Sequence, residues 1–341
     1  MKLGRLSESV WNRSVYKELT VNNQFVLTGA DTGVDCASLL ISEDETIVTT
    51  GGRMCGFEDI DGSFPIYEAV NELAVMGAEA CGINITAMLP ESYTERKLKV
   101  LVRDINQLCE RLDIQVMSFE VQTLYRARLP YLVVSGMGKI KKSMLAINNK
   151  RDKKHRQDEG MLDIIATKGI GLAGTTYIAR KLRDELLLRF PAQYIDGAIR
   201  LKEHLSIINE AASARESGAR LMMSMGKGGI FASLWDMSQL LGTGLNIDIK
   251  SIPIAQETVE ICNHYNLNPY EMYSLGSMLI ATCHGDELVE ELAKGGIYAS
   301  VIGHTSPGND KLIVNEDEKR FLTKPGPDEV LKIANRDVII T

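Results

Sequence analysis

Residues 161–182 read MLDIIATKGIGLAGTTYIARKL, an apolar β-rich run, a glycine-rich turn and a helical pattern in immediate succession. A chain built this way contains at least one strand-to-helix unit whose turn depends on Gly169, Gly171 and Gly174. Their spacing is GxGxxG. That pattern marks a dinucleotide fold when a second strand, ending in Asp or Glu, follows about 20 residues on. No β-like run lies between Ala192 and Ile208, and Asp196, the acidic residue at that distance, reads as a helix N-cap. A dehydrogenase reading therefore fails at its second element. What remains is either a structural turn or a loop that lets backbone approach a phosphate, with Lys168 adding a cation.

A second segment repeats the arrangement. In MSMGKGGIFASLWDM, Gly226, Gly228, Gly229 and Lys227 again stand between a strand and a helix. No Ser or Thr follows Lys227, so this is not a Walker A loop.

Around these loops the pattern is mixed. Short β-rich runs FVLT, CASLLIS and TIVTT lie between Phe25 and Thr50; a helix follows, with Ser63 as cap, Pro65 in its first turn and Gly77 at its end. Ser92 and Glu95 suggest a capping box for a second helix whose apolar face is Leu98, Leu101, Val102, Ile105, Leu108 and Leu112. Strands at about 80–89, IQVMSFEV and YLVVSGM complete the first half. The second half reads LDIIAT, two helical patterns from about Thr175 to Ser217, ARLMMSM, a helix from Gly229 to Leu241, NIDIKSI, a helix from Ile254 to Tyr265, SMLIATC, a helix at Glu287–Lys294, IYASVIG and KLIVN. Strands outnumber a strict βαβ alternation. The expected class is α+β, with helices covering mixed sheets.

A length of 341 residues suits two domains. The expected division is 1–145, a basic linker at 146–160, and 161–341. The basic run KIKKSMLAINNKRDKKHR (139–156) holds eight Lys or Arg against one Asp and reads as a solvated connection or a phosphate-attracting patch. The whole chain nevertheless carries −7, which argues against a nucleic-acid binder. No apolar stretch is long enough for a membrane span, and the charged N-terminus lacks a signal-peptide core, so a cytoplasmic protein is expected. Six separated cysteines, without CxxC or CxxH, give a zinc site no support and read as reduced thiols.

The strings AVNELAVMGAE (69–79), TKGIGLAGT (167–175), the GG-helix at Gly228, SLGSMLIA (274–281) and GGIYASVIG (295–303) together resemble, in order, landmarks of the AIR synthase superfamily. The HypE-like, AIR synthase-related branch is the nearest in flavour, through LGRLSESVWNRSVYK at the N-terminus. The resemblance implies a PurM-like two-domain fold, with an N-terminal half that dimerises through a β-barrel and a C-terminal α/β half. It also implies an ATP cleft with magnesium and acidic residues, and chemistry that transfers phosphate to an oxygen. In the HypE branch ATP serves to dehydrate a carbamoyl group carried on a C-terminal cysteine. A partner in hydrogenase maturation is implied with it.

Carried over by residue, the resemblance places Asp35, Asn71 and Glu72 on the N-terminal side of the ATP site, with Asp35 and Glu72 as magnesium ligands. Lys168, Gly169, Gly171, Gly174, Thr175, Lys227, Gly228 and Gly229 fall on the C-terminal side. Several positions depart from the family. Asp35 in TGVDCASL stands alone where an acidic pair is usual, and Glu72 replaces an Asp. Gly51 in TTGG and Ser224 in SMGKGG each remove a carboxylate, FEVQ (119–122) stands where a histidine-threonine motif is usual, and the last residues, NRDVIIT, contain no cysteine. Magnesium on ATP takes hard oxygen ligands, usually including carboxylates. Their loss, with Lys227 gained, shifts the expected site from holding metal towards holding an anion. Three readings stay open: an ATP-dependent dehydratase or phosphotransferase with a rearranged metal site, a non-catalytic nucleotide-binding or assembly protein, and a site for another anionic ligand. Taken singly, Asp35 can also be a turn residue, Asn71 a helix-surface amide and Glu72 a solvated charge.

Overall fold

The computed structural model describes residues 26–28, 36–55, 62–125, 127–144 and 160–334. They fall into two compact units, which divide the chain near residue 146.

The first unit carries one sheet. Its strands are β1 (Val26–Thr28), β2 (Cys36–Leu40), β3 (Glu45–Thr50), β4 (Arg53–Cys55), β5 (Glu79–Pro90), β6 (Gln115–Leu124) and β7 (Tyr131–Lys141). The order is β1-β2-β3-β7-β5-β6, with β4 also on β7. Only β5 and β6 run parallel, across the helix that joins them. Helix α1 (Ser63–Val75) buries Ile66, Ala69, Val70 and Leu73. It approaches β7 at Gly136, where a Cβ would meet Leu73 and Ala69. Its cap is Gly62, in the left-handed region, so Ser63 is the first helical residue instead. Helix α2 (Glu95–Leu112) is capped by Thr94, whose hydroxyl accepts from the Lys97 amide at 3.3 Å; the expected Ser92–Glu95 box does not form. Its buried face is Leu101, Ile105, Leu108 and Cys109, while Val102 is exposed. Positions 102 and 109, seven residues apart, share the rim of that face, and of the two Cys109 is the one covered.

The second unit carries the other sheet: β8 (Asp163–Thr167), β9 (Leu221–Ser224), β10 (Gly244–Asp248), β11 (Met278–Thr282), β12 (Ala299–Ser306), β13 (Lys311–Asn315) and β14 (Glu318–Phe321). Its order is β14-β13-β10-β12-β8-β11-β9. Helices α3 (Leu172–Lys181), α4 (Arg183–Leu186), α5 (Ala192–Arg200), α6 (Ile208–Glu216), α7 (Gly229–Leu241), α8 (Gln256–Tyr265), α9 (Gly285–Lys294) and α10 (Val330–Ala334) accompany it. Ile230, Leu234, Met237 and Leu241 of α7 pack into one cluster with Ile164 of β8, Leu245 and Ile247 of β10 and Leu279 of β11. The two helical patterns expected between Thr175 and Ser217 are four helices, and Asp196 lies inside α5, hydrogen-bonded by Arg183 at 2.7 Å. The N-cap of α5 is Pro191, so the capping role expected of Asp196 is not the one it has.

Register decides where the chemistry collects. β11 runs antiparallel to both β8 and β9, pairing Leu279 with Ala166 and Met278 with Ser224. The C-terminal ends of β8 and β9 and the start of β11 therefore lie at one end of the sheet. Both glycine loops leave from that end.

The fold is thus α+β, two units each of mixed sheet and helices. The basic run is not all linker: Lys139 and Lys141 belong to β7, and Lys139 pairs with Glu79 at 3.5 Å, while 145–156 lies outside the described residues.

Candidate functional site

In the second unit three loops meet at the shared end of the sheet. The segment after Tyr270 stitches the two glycine loops together. Gly171 donates its N–H to Ser274 Oγ at 2.9 Å, Ser277 Oγ donates to the Gly169 carbonyl, and the Met278 N–H donates to Thr167 Oγ1 at 3.1 Å. On the other side the Ser274 N–H donates to the Gly226 carbonyl at 3.1 Å and the Met225 N–H to the Ser277 carbonyl at 2.9 Å. The landmark string at Ser274 is the physical link between the other two.

Much of the first loop is satisfied internally. Lys168 N–H donates to the Tyr298 carbonyl, Ile170 N–H to Pro253, Gly174 N–H to Tyr273 and Thr175 N–H to Gly171. Thr175 Oγ1 is fully buried against Thr258 Oγ1 at 2.8 Å. Gly174 faces Met272 and Val330; a Cβ there would come within 2.5 Å of Met272 Cγ. The third glycine serves close packing of the chain on itself.

Lys168 was expected to offer a cation to a phosphate, and its ammonium is turned elsewhere. Nζ donates to the carbonyls of His204 (2.9 Å) and Ser206 and pairs with buried Glu210. Burial pushes its pKa below the ordinary lysine value, and the neighbouring Glu210 opposes that shift. Three acceptors saturate an ammonium's three N–H groups. In this arrangement Lys168 ties the chain at 204–210 to β8.

The second loop is different in kind. Gly228 caps α7 in the left-handed region and donates its N–H to Asp328 Oδ2 at 2.6 Å. The same carboxylate accepts from the N–H of Tyr273 at 3.3 Å and of Val330 at 2.9 Å. Exposed Lys227 stands beside it, with Nζ 5.8 Å from the Tyr273 ring centroid. Burial raises the Asp328 pKa above the usual carboxylate value, and the three main-chain N–H groups and Lys227 pull it back down. Main-chain N–H groups at a helix start with a lysine nearby form an oxyanion cradle. Its occupant is the chain's own side chain. Ser224, at the end of β9, is buried and donates to the Met225 carbonyl at 3.4 Å.

In the first unit Asn71 and Glu72 lie on α1. Asn71 is fully buried, which overturns its reading as a helix-surface amide, and Glu72 is partly buried. Cys36 Sγ donates to the Glu72 carbonyl at 3.7 Å, seating the start of β2 against α1. Asp35 lies outside the described residues. Gly51 is exposed between β3 and β4, and the FEVQ segment lies on β6. Among the described residues no group of three or more His, Cys, Asp or Glu side chains is placed to hold a metal ion. The described donors do not fit magnesium. Asp328, the group that most defines the loop chemistry, was missed from sequence; it precedes a short helix after KPGP, where an Asp reads as an ordinary cap.

Fold and loops together define a PurM-like two-domain protein. The chain belongs to the AIR synthase-related family: residues 33–140 match the model for AIR synthase related protein, N-terminal domain, and residues 163–315 match that for the C-terminal domain. It is 21% identical over 323 residues to a putative hydrogenase expression/formation protein of Methanocaldococcus jannaschii, covering 91% of each chain. To carbamoyl dehydratase HypE of Rhodobacter capsulatus it is 25% identical over 272 residues, covering 78% of this chain and 74% of the relative. Among solved structures, a HypE–HypF complex gives a TM-score of 0.69 at 14% identity, covering 92% of this chain and 99% of that one. AaThiL complexed with AMPPCP and TMP gives 0.69 at 15% identity, covering 94% and 98%. Hydrogenase maturation protein HypE in complex with ATP gives 0.64 at 13% identity, covering 97% and 98%. These likenesses carry the fold.

Proposed function

We propose that this protein is a HypE-like component of metalloenzyme maturation. In this reading it binds ATP or another phosphate-bearing ligand and acts as a binding and assembly protein, without magnesium-dependent phosphoryl transfer. The observation that carries the reading is the Gly228 loop: a left-handed glycine, main-chain N–H donors and nearby Lys227 gather round an oxyanion, the Asp328 carboxylate. Main-chain N–H groups and a lysine favour an anionic ligand over a metal ion. Phosphoryl transfer rests on positioning and on neutralising charge, usually with metal ions bridging the phosphates. The described residues offer no donor set for that. The names of the relatives, hydrogenase expression/formation protein and HypE, support the maturation setting, and the ATP and AMPPCP complexes of the structural neighbours support the nucleotide.

In the same reading the protein is a cytoplasmic homodimer that also engages another maturation protein, as HypE does HypF. The first sheet offers the dimer edge: among the described residues β6 pairs only with β5, and it exposes Met117 and Val121. A long unpaired edge is a template for pairing with a second copy. No helix among the described residues is long and apolar enough to cross a membrane.

Titration calorimetry with ATP, once in EDTA and once with magnesium, alongside an assay for ADP or AMP release, tests the reading. Binding in EDTA without turnover is expected. Strictly magnesium-dependent binding with turnover would restore the phosphotransferase reading, and no binding under either condition would remove the nucleotide.

A further inference from the structure

The segment from Leu322 to Ala334 crosses both glycine loops. Leu322 is buried, Thr323–Pro327 is an exposed run containing Pro325, Gly326 and Pro327, and Asp328, Glu329, Val330 and Ile333 then anchor the chain. Asp328 reaches the Gly228 loop, Val330 packs at Gly174 of the other loop, and Glu329 Oε2 accepts the Asn268 N–H at 3.0 Å. One short strap thus holds every loop at the shared end of the sheet.

We propose that this strap is autoinhibitory: the Asp328 carboxylate occupies the cradle that a ligand phosphate takes, and the two compete for the same N–H groups. The inference rests on the proposed binding of a phosphate-bearing ligand. Three features favour competition over a simple helix cap. Besides the cap contact to Val330 at the start of its own helix, the carboxylate draws donors from two distant places in the chain, Gly228 and Tyr273, which an ordinary cap does not do. An oxyanion of tetrahedral shape uses convergent N–H donors in the same way. The exposed run before Asp328 gives that side of the strap few contacts to lose when residue 328 swings out, whereas Val330 and Ile333 are buried and stay. Lys227, exposed beside the carboxylate, faces the same position and would pair with either anion. A phosphate keeps the charge sign and takes over the Gly228 and Tyr273 N–H groups and Lys227, so exchange releases only the Val330 N–H.

The test uses the full chain. Inorganic pyrophosphate and ATP are titrated in EDTA into wild type, Asp328→Ala and Asp328→Asn, and hydrogen exchange at Gly228 and Val330 is followed with and without ATP. Removing the competitor should tighten pyrophosphate binding by tenfold or more in Asp328→Ala and by less in Asp328→Asn. In wild type, ATP should speed exchange at Val330 while slowing it at Gly228. The Asn variant keeps side-chain shape if the Ala variant unfolds. Pyrophosphate affinity that is equal or weaker in both variants overturns the strap as competitor. If wild type still binds ATP in that case, the proposed function stands and the strap alone fails; if no protein binds either probe, both fail.

Discussion

Gly229→Ala tests whether the second loop is shaped by the protein's own packing. Gly229 has φ +67°, and a Cβ there would lie 2.4 Å from the Tyr270 carbonyl oxygen and 2.9 Å from both the nitrogen and oxygen of Met272. All three obstacles are backbone, so no rotamer change relieves them. An L side chain in the left-handed region costs about 1–2 kcal/mol, and forcing extra volume into a packed site costs about 1–3 kcal/mol more. The expected loss is therefore roughly 2–5 kcal/mol, the sum of those two terms. Gly226→Ala is the control: a Cβ there meets nothing within 4 Å, and its φ lies outside the left-handed region. Its expected effect is within about 0.5 kcal/mol. Trp235 lies on α7, which Gly229 begins, so urea unfolding followed by tryptophan fluorescence in a Trp11→Phe background reads this unit alone. A two-unit chain is not two-state as a whole, which makes the local probe necessary. Equal midpoints for Gly229→Ala and Gly226→Ala would refute the argument.

Three further expectations follow from the same structure. Glu210→Gln leaves the buried Lys168 ammonium without its counter-charge and should cost about 3–5 kcal/mol, as breaking one partner of a buried pair does, read in the same urea assay. Burial pushes the Cys109 thiol from 9.0 to about 11 and the Cys262 thiol from 9.0 to about 12. The unfolded chain releases those protons first, so their contribution is intact below pH 9 and is lost as pH rises through about 11 for Cys109 and about 12 for Cys262, at about 1 kcal/mol per thiol per pH unit. Thermal melts of wild type against Cys109→Ala across pH 8–10.5 check this, the variant showing the shallower decline. Val121→Lys, on the exposed edge strand β6, should shift the proposed dimer to monomer in sedimentation velocity with the melting temperature unchanged.

The sequence made the elements legible where local rules act alone. Helix α7 runs from Gly229 to Leu241 as its apolar period and flanking glycines predict. The segment from Ala192 to Ile208, where a dinucleotide fold would need its second strand, carries helices and no strand, in line with its lack of a β-like run. Caps were less legible: Gly62 and Thr94 cap α1 and α2 in place of Ser63 and Ser92, because cap choice depends on where the incoming chain can turn. At the site, the partners of the polar residues were not legible. Lys168 looked available until the fold brought Glu210 and two carbonyls to it, and Asn71 looked exposed until the sheet covered α1. Asp328 stands 100 residues from Gly228, a distance at which spacing carries no signal. Long-range closure decides which polar groups remain for a ligand.

The central claim is that this AIR synthase-related chain holds a phosphate-bearing ligand through main-chain N–H groups and lysine, independently of magnesium. Calorimetric titration of wild type with ATP in EDTA measures that directly. Binding is expected whose affinity changes less than about threefold, roughly 0.65 kcal/mol, when magnesium is added. Binding that appears only with magnesium would contradict it.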